Sequence, residues 1–359
     1  MSRLWSDHVV GLTPYLPGEQ VKLDNMLKLN TNEHPNGPSP RAIEAIRQAA
    51  NDDLRLYPPV NSLALRQAIA TWLKVEADQV FLGNGSDEIL AHVFSALFLR
   101  SGRPLLMPDI TYSFYTTYST YYGVPTECIP LASDFSIRVS DYTAQREVPP
   151  AGIIFANPNA PTGRALTIVD IEAILQANPD TVVVVDEAYV DFGAQSAVKL
   201  VNQYDNLLVI QTFSKSRALA GLRVGFAVAQ TGLLEALARV KDSFNSYPMD
   251  SLALAGAVAS VQDHDYFEQQ CQIVINAREQ LAKDLIELGF EVLPSKTNFL
   301  MVSHANHSAS ELQQALRVQG ILVRHFKQSR IDNYLRITVG SPAQCQRLCD
   351  SLKVILGRA

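Results

Sequence analysis

Three apolar runs, GIIFANPN (152–159), TVVVVDEA (181–188) and NLLVIQTF (206–213), each break off at polar residues, and this repeat constrains the fold more than any other feature of the chain. Short runs this apolar, rich in β-branched residues, are the pattern of strands buried on both faces. Between the first two lies TIVDIEAILQAN (167–178), with helical spacing, Thr167 placed as its N-cap and Pro179 beyond its end. Strand, helix, strand in this order predicts an α/β fold: a mostly parallel central sheet flanked by helices, with right-handed crossovers. In such sheets ligands lie in the crevice outside the carboxyl ends of the strands. The residues that terminate the runs are Asn157, Asp186 and Lys215, separated by 29 and again by 29 positions. An amide, a carboxylate and an amine are therefore expected on one rim.

The 359 residues exceed one ordinary core. Upstream, VFLGNG (80–85) reads as a strand running into glycines, and SDEILAHVFSALFL (86–99) as a helix with Ser86 as N-cap. After residue 245 the pattern changes to two long helices and then shorter alternating strands and helices, which predicts a second, smaller α+β domain. The expected division is an N-terminal arm at 1–28, a large α/β domain at 29–245 and the small domain at 246–359.

Apolar residues at 47% against 18% charged place the chain among globular proteins rather than disordered ones. A net charge of −6 gives no footprint for nucleic acid, so any anion site must be local. The N-terminus lacks the pattern of a signal peptide and no long apolar span occurs, so a cytoplasmic protein without membrane partners is expected. Four cysteines without a CxxC do not make a disulfide framework. Cys345 and Cys349 read as packing residues and His304 and His307 as a polar loop, so no metal site is expected.

The stretch TFSKSRALAGLRVGF (212–226) carries the chemistry. A lysine at a strand end is ordinarily a solvated charge. Here Thr212, Ser214 and Arg223 surround Lys215 with anion donors, and GLRVGF returns at once to an apolar strand. A lysine on such an excursion is suited to Schiff-base chemistry with a carbonyl, and its neighbours to a phosphate. Pyridoxal phosphate has both groups, and its ring nitrogen needs a proton that an acid such as Asp186 can hold. Asn157 and Tyr189 are candidate donors to the ring's 3′ oxygen, although Asn157 reads equally as an Asx-turn. Gly83 and Gly85 allow close backbone approach, and the start of the following helix favours an anion.

The ordered set GNGSDE, PDITYSFY, FANPNAPTG, VVDEAYVDF, TFSKSRALAGLRVGF and YLRITVG resembles the pyridoxal-phosphate aminotransferases of the aspartate aminotransferase fold, class II. Within them LNTNEHPNGPSP (29–40) is most similar to the histidinol-phosphate aminotransferases. The resemblance implies that Lys215 bonds the cofactor, with Asp186 at the ring nitrogen, Asn157 and Tyr189 at the 3′ oxygen and Tyr112 stacked on the ring. Gly85, Ser86, Asp87, Thr212, Ser214 and Arg223 are implied at its phosphate. Tyr57, in LRLYPP, is implied to reach the neighbouring subunit's site in a homodimer, with Leu56 where the family usually carries arginine. Arg336 is implied at the substrate carboxylate, with Arg324, Tyr15 and Asn32 as further substrate-binding candidates and Arg324 expected at a second anionic group.

The implied reaction exchanges an amino group between glutamate/2-oxoglutarate and histidinol phosphate/imidazole-acetol phosphate in histidine biosynthesis. An aromatic amino acid aminotransferase and a phosphothreonine-type decarboxylase are the alternatives of the same fold. A nicotinamide-dependent dehydrogenase fits less well, because Glu88 stands where a third glycine is needed. A non-catalytic protein that keeps the cofactor as a ligand is a further alternative.

Overall fold

The computed structural model describes residues 3–14 and 26–358. Its centre is a seven-stranded sheet built from β2 (Val80–Asn84), β3 (Leu105–Pro108), β4 (Thr126–Ile129), β5 (Gly152–Ala156), β6 (Val183–Asp186), β7 (Leu207–Thr212) and β8 (Val224–Ala229); a short strand, β1 (Leu27–Lys28), precedes them. The order is β2-β8-β7-β6-β5-β3-β4. The three apolar runs are the adjacent strands β5, β6 and β7, paired in parallel with Ala156 opposite Asp186 and Asp186 opposite Ile210. That register brings the three polar termini to one edge.

One strand breaks the parallel pattern. β8 runs antiparallel to both β7 and β2. The segment between β7 and β8 is too short for a parallel crossover, which takes a dozen or more residues, so the chain turns back directly. Lys215 sits on that turn.

Beyond the large sheet, β9 (Phe290–Val292), β10 (Phe299–His304), β12 (Arg324–His325) and β13 (Leu335–Thr338) form an antiparallel sheet in the order β12-β13-β10-β9. The last strand, β11 (Ile321–Leu322), pairs in parallel with β1. Helices Ala309–Val318 and Pro342–Ile355 cover this sheet, each opened by a serine capping box at Ser308 and Ser341.

Two segments cross the divisions at 28 and 245 drawn from the sequence. Leu29 packs with Leu27 in the apolar cluster of the smaller sheet. Helix Ser251–Gln262 inserts Ala253, Ala257 and Val261 into the cluster of the large sheet. Small residues give that helix a flat face that lies close against helix Pro40–Ala49: a Cβ on Gly256 would stand 2.8 Å from Ile46.

Candidate active site

At the carboxyl edge of β5, β6 and β7 lies a cavity of about 250 Å³ lined by Lys215, Asp186, Tyr189, Tyr112, Ser86, Asp87, Thr212, Ser214 and Arg223, among others. Asp186 closes β6 and is only 4% exposed. Its Oδ2 accepts from the Tyr115 hydroxyl at 2.7 Å and its Oδ1 from the Ala188 N–H at 3.2 Å. Burial pushes its carboxyl up to about 6 against the pull of these two hydrogen bonds. Burial, followed by the charge of Asp186, likewise holds the Tyr115 hydroxyl well above the ordinary tyrosine value, so it remains a donor. Sequence reasoning missed Tyr115; its only signal was its place three residues after Tyr112 in an aromatic segment.

Lys215 follows β7 and donates from Nζ to the Thr31 carbonyl at 3.3 Å. The same Nζ lies 5.9 Å from the centre of the Tyr189 ring. Asn32 donates from Nδ2 to the Tyr189 hydroxyl at 2.9 Å. Asn32 is itself buried, with Thr338 and Asn298 taking its other polar groups, so it positions Tyr189 rather than opening to a ligand.

The far end of the cavity carries a cation paired with a carboxylate. Arg223 donates from Nη2 to Asp87 at 3.0 Å and from Nη1 to the Ser214 hydroxyl at 3.4 Å, and Thr212 donates to Ser214 at 3.0 Å. The Asp87 carboxylate also accepts from the Tyr112 hydroxyl at 3.0 Å. Helix Ser86–Leu97 begins here, and the structure corrects the expected cap: Gly85 is the N-cap, at φ +84, and Ser86 is the first helical residue. A left-handed backbone with no side chain is required, since a Cβ at Gly85 would lie 2.4 Å from Arg223 Nη2. With no side-chain cap on this helix, its first N–H groups are left to a ligand at the cavity.

Other sequence-derived candidates fall outside the cavity lining. Asn157 is buried beside Asp186, to whose carbonyl its N–H donates at 2.8 Å, but its side chain turns to Leu166: Oδ1 accepts from the Leu166 N–H at 2.7 Å and Nδ2 donates to its carbonyl at 3.4 Å. These bonds span nine residues and are not those of an Asx-turn, which would tie Asn157 to the backbone two residues on. Arg336 and Arg324 stand opposite one another on β13 and β12, each 5.7 Å from the Phe326 ring, and Arg336 donates to the Asn30 carbonyl at 2.9 Å. Tyr57 is 83% exposed, its ring 4.9 Å from that of Tyr247. Tyr15 lies outside the described residues.

Two further lining residues, Thr31 and Glu33, were not singled out from the sequence. Glu187, next to Asp186, is buried too, with its carboxyl raised to about 7 by burial. It accepts from Ser196, the Ala197 N–H and Gln211, anchoring a loop away from the cavity. Among the described residues no helix is long and apolar enough to cross a membrane.

A buried acid and a lysine amine opening on one cavity, with a cation, hydroxyls and a bare helix start at its far end, suit a cofactor that carries a carbonyl, a basic ring and a phosphate. Comparison with known proteins agrees. Residues 24–352 match the family described as aminotransferase class I and II. The chain is 58% identical over 355 residues to histidinol-phosphate aminotransferase 1 of Bordetella parapertussis, covering 99% of each chain. Its fold is similar to that of histidinol-phosphate aminotransferase from Sinorhizobium meliloti in complex with pyridoxal-5'-phosphate, with a TM-score of 0.88, 24% identity and coverage of 99% and 98%. It is also similar in fold to a Thermus thermophilus aspartate aminotransferase mutant, with a TM-score of 0.82, 17% identity and coverage of 99% and 100%. The chain belongs to the class I and II aminotransferase family.

Proposed function

We propose that this enzyme uses pyridoxal 5'-phosphate to exchange an amino group between glutamate/2-oxoglutarate and histidinol phosphate/imidazole-acetol phosphate, a step of histidine biosynthesis. The observation that carries the reading is that Lys215 and the buried Asp186 open on one cavity whose far end carries Arg223, Ser214 and Thr212. The near-complete match to a curated relative with that activity supports the choice of substrate.

The residues present fit the cofactor. Lys215 would be the amine that holds its carbonyl carbon, and Asp186 the acid that would keep its ring nitrogen protonated. An unpaired carboxylate is costly in a dry site, and a cation opposite it offsets that cost. Gly85, Ser86, Asp87, Thr212, Ser214 and Arg223 hold the phosphate, Ser86 and Asp87 through the backbone of the helix start. Tyr112 would stack on the ring, and Tyr189, oriented by Asn32, would with Asn157 donate to the 3′ oxygen. The bound cofactor supplies an electron sink for the substrate carbon. Lys215 Nζ would carry the proton at the substrate carbon, and Arg336, with Arg324 and Tyr15, would receive the anionic ends of the substrate, while Asn32, its polar groups already taken, would act only by orienting Tyr189.

A homodimer belongs to the same proposal. Tyr57 at 83% and Phe244 at 81% exposure, with Leu54, Leu56, Val60 and Leu63, leave an apolar face uncovered, and the adjoining groove is lined by Pro59, Leu254 and Val258. Faces of this kind mark interaction sites. Tyr57 then reaches the partner's cavity. A cytoplasmic setting accords with four cysteines left as free thiols. As domains, we place the junction within the long helix His264–Glu287, with Leu27–Leu29 joined to the smaller unit.

The test is incubation of purified enzyme with histidinol phosphate and 2-oxoglutarate, with phenylalanine as the competing donor. Glutamate formation from histidinol phosphate at a much higher kcat/KM is expected; no amino exchange excludes the assignment.

A further inference from the structure

Three carboxylates line the cavity, and two are held at its back and far end. Asp87 is paired with Arg223 and accepts from Tyr112. Asp186 is held by Tyr115 at the back of the site. Glu33 is the third, and neither the ring nor the phosphate of the cofactor needs it. Its Oε1 takes Lys28 Nζ at 2.6 Å and its Oε2 the Thr31 hydroxyl at 2.8 Å. The carbonyl of that same Thr31 receives Lys215 Nζ. Lys28, Glu33, Thr31 and Lys215 therefore form one connected chain, with Lys28 on β1 and Lys215 at the end of β7.

We propose that Glu33 is a positioning residue that acts as the counter-charge of the Lys215 amine, acting across Thr31, with Lys28 competing for the same carboxylate. The inference rests on the cofactor reading above and deepens it. The other charged or titratable groups facing this chain are Tyr189, whose ring lies under Lys215, and the two spoken-for carboxylates with Arg223 and Tyr112 at the far side. Burial alone raises the Glu33 carboxyl; the hydrogen bonds from Lys28 and Thr31 and the charges of Lys28 and Lys215 outweigh it and leave it below the usual carboxylate range. Glu33 and Lys215 line the same cavity and bond the same residue, Thr31, so the carboxylate and the amine face one another across it. An amine that must pick up a proton in a desolvated cleft and surrender it again gains from a fixed, half-exposed partner that is not itself consumed.

The experiment is a titration of the visible absorbance of the cofactor-loaded enzyme against pH. Glu33→Gln should lower the midpoint by about 0.3–0.7 pH unit, the size expected for a half-exposed ion pair. Lys28→Met, which removes the competing cation, should raise it, and Glu33→Asp should restore most of the wild-type value. Opposite signs for the two neutralising variants are the signature of a charge effect; loosening of the fold would move both the same way. Unchanged midpoints in Glu33→Gln, or shifts of the same sign in Glu33→Gln and Lys28→Met, overturn the proposal. Lys215→Ala reports on the cofactor reading separately: it should lack the pH-dependent band altogether, and if it keeps the band that reading fails first.

Discussion

The rim of the large sheet and the β12–β13 edge of the smaller one present cations in different ways. On the rim, Arg223 is tied at once to a carboxylate and a hydroxyl, and Asp186 is sealed at 4% exposure behind Tyr115. At the β12–β13 edge, Arg324 and Arg336 are half-buried against the faces of Phe326 and Phe299. The groups proposed to hold the one unvarying cofactor are locked by hydrogen bonds at strand ends. The two arginines proposed to receive the substrates lie against aromatic faces instead, Arg336 with one hydrogen bond to the Asn30 carbonyl. The segment 29–33 joins the two regions, since Asn30 meets Arg336 while Thr31 meets Lys215.

If that contrast is right, damage at the rim should abolish chemistry and damage at the edge should weaken binding. The largest effect is expected for Lys215→Ala, which should lower kcat by about 10²–10⁴-fold or more for lack of the positioned proton carrier, measured by single-turnover kinetics. Arg336→Gln should come next, lowering kcat/KM by roughly 10–100-fold through KM for both donors, as expected for a lost charge-assisted hydrogen bond. An equal fall in kcat would erase the distinction between the two regions. Tyr115→Phe should cost about 3–10-fold in kcat/KM, because Asp186 loses one hydrogen bond that favours its charged form.

The effect on stability is read apart from the kinetic ones. The Asp186 carboxyl rises from 3.8 to about 6 on folding of the cofactor-free chain. A raised value means that folding takes up a proton, so this contribution is complete below about pH 4 and lost as pH rises through about 6. Asp186→Asn, which stays neutral, should therefore make the cofactor-free protein more stable than wild type near pH 8 by roughly 2–3 kcal/mol, and by less near pH 5. Thermal melts at the two pH values check this. A variant less stable at both would mean that the carboxylate has a role in the fold beyond its site.

How much of this was legible beforehand differs between the two regions as well. Lys215, Asp186, Thr212, Ser214 and Arg223 were readable because each sits at a strand end whose position follows from apolar periodicity, a local property. Tyr115 was not, because its hydroxyl reaches Asp186 across 71 residues of sequence. Nor was the contact between Asn32 and Tyr189, 157 residues apart. The antiparallel entry of β8 depended on the length of the link before it, which the apolar runs alone do not express.

The succession of strands along the chain, the 29-residue spacing and the chemical kinds that end the three runs are properties of the linear chain, since burial on both faces of a strand leaves a mark in consecutive residues. Tertiary packing alone decided which partner each polar group found: Leu166 for Asn157, Tyr115 for Asp186, Thr31 and through it Glu33 for Lys215. The physical reason is range. Periodicity reports how a segment meets the core, whereas a hydrogen bond between distant segments depends on how helices and loops settle over the sheet, and no local pattern encodes that.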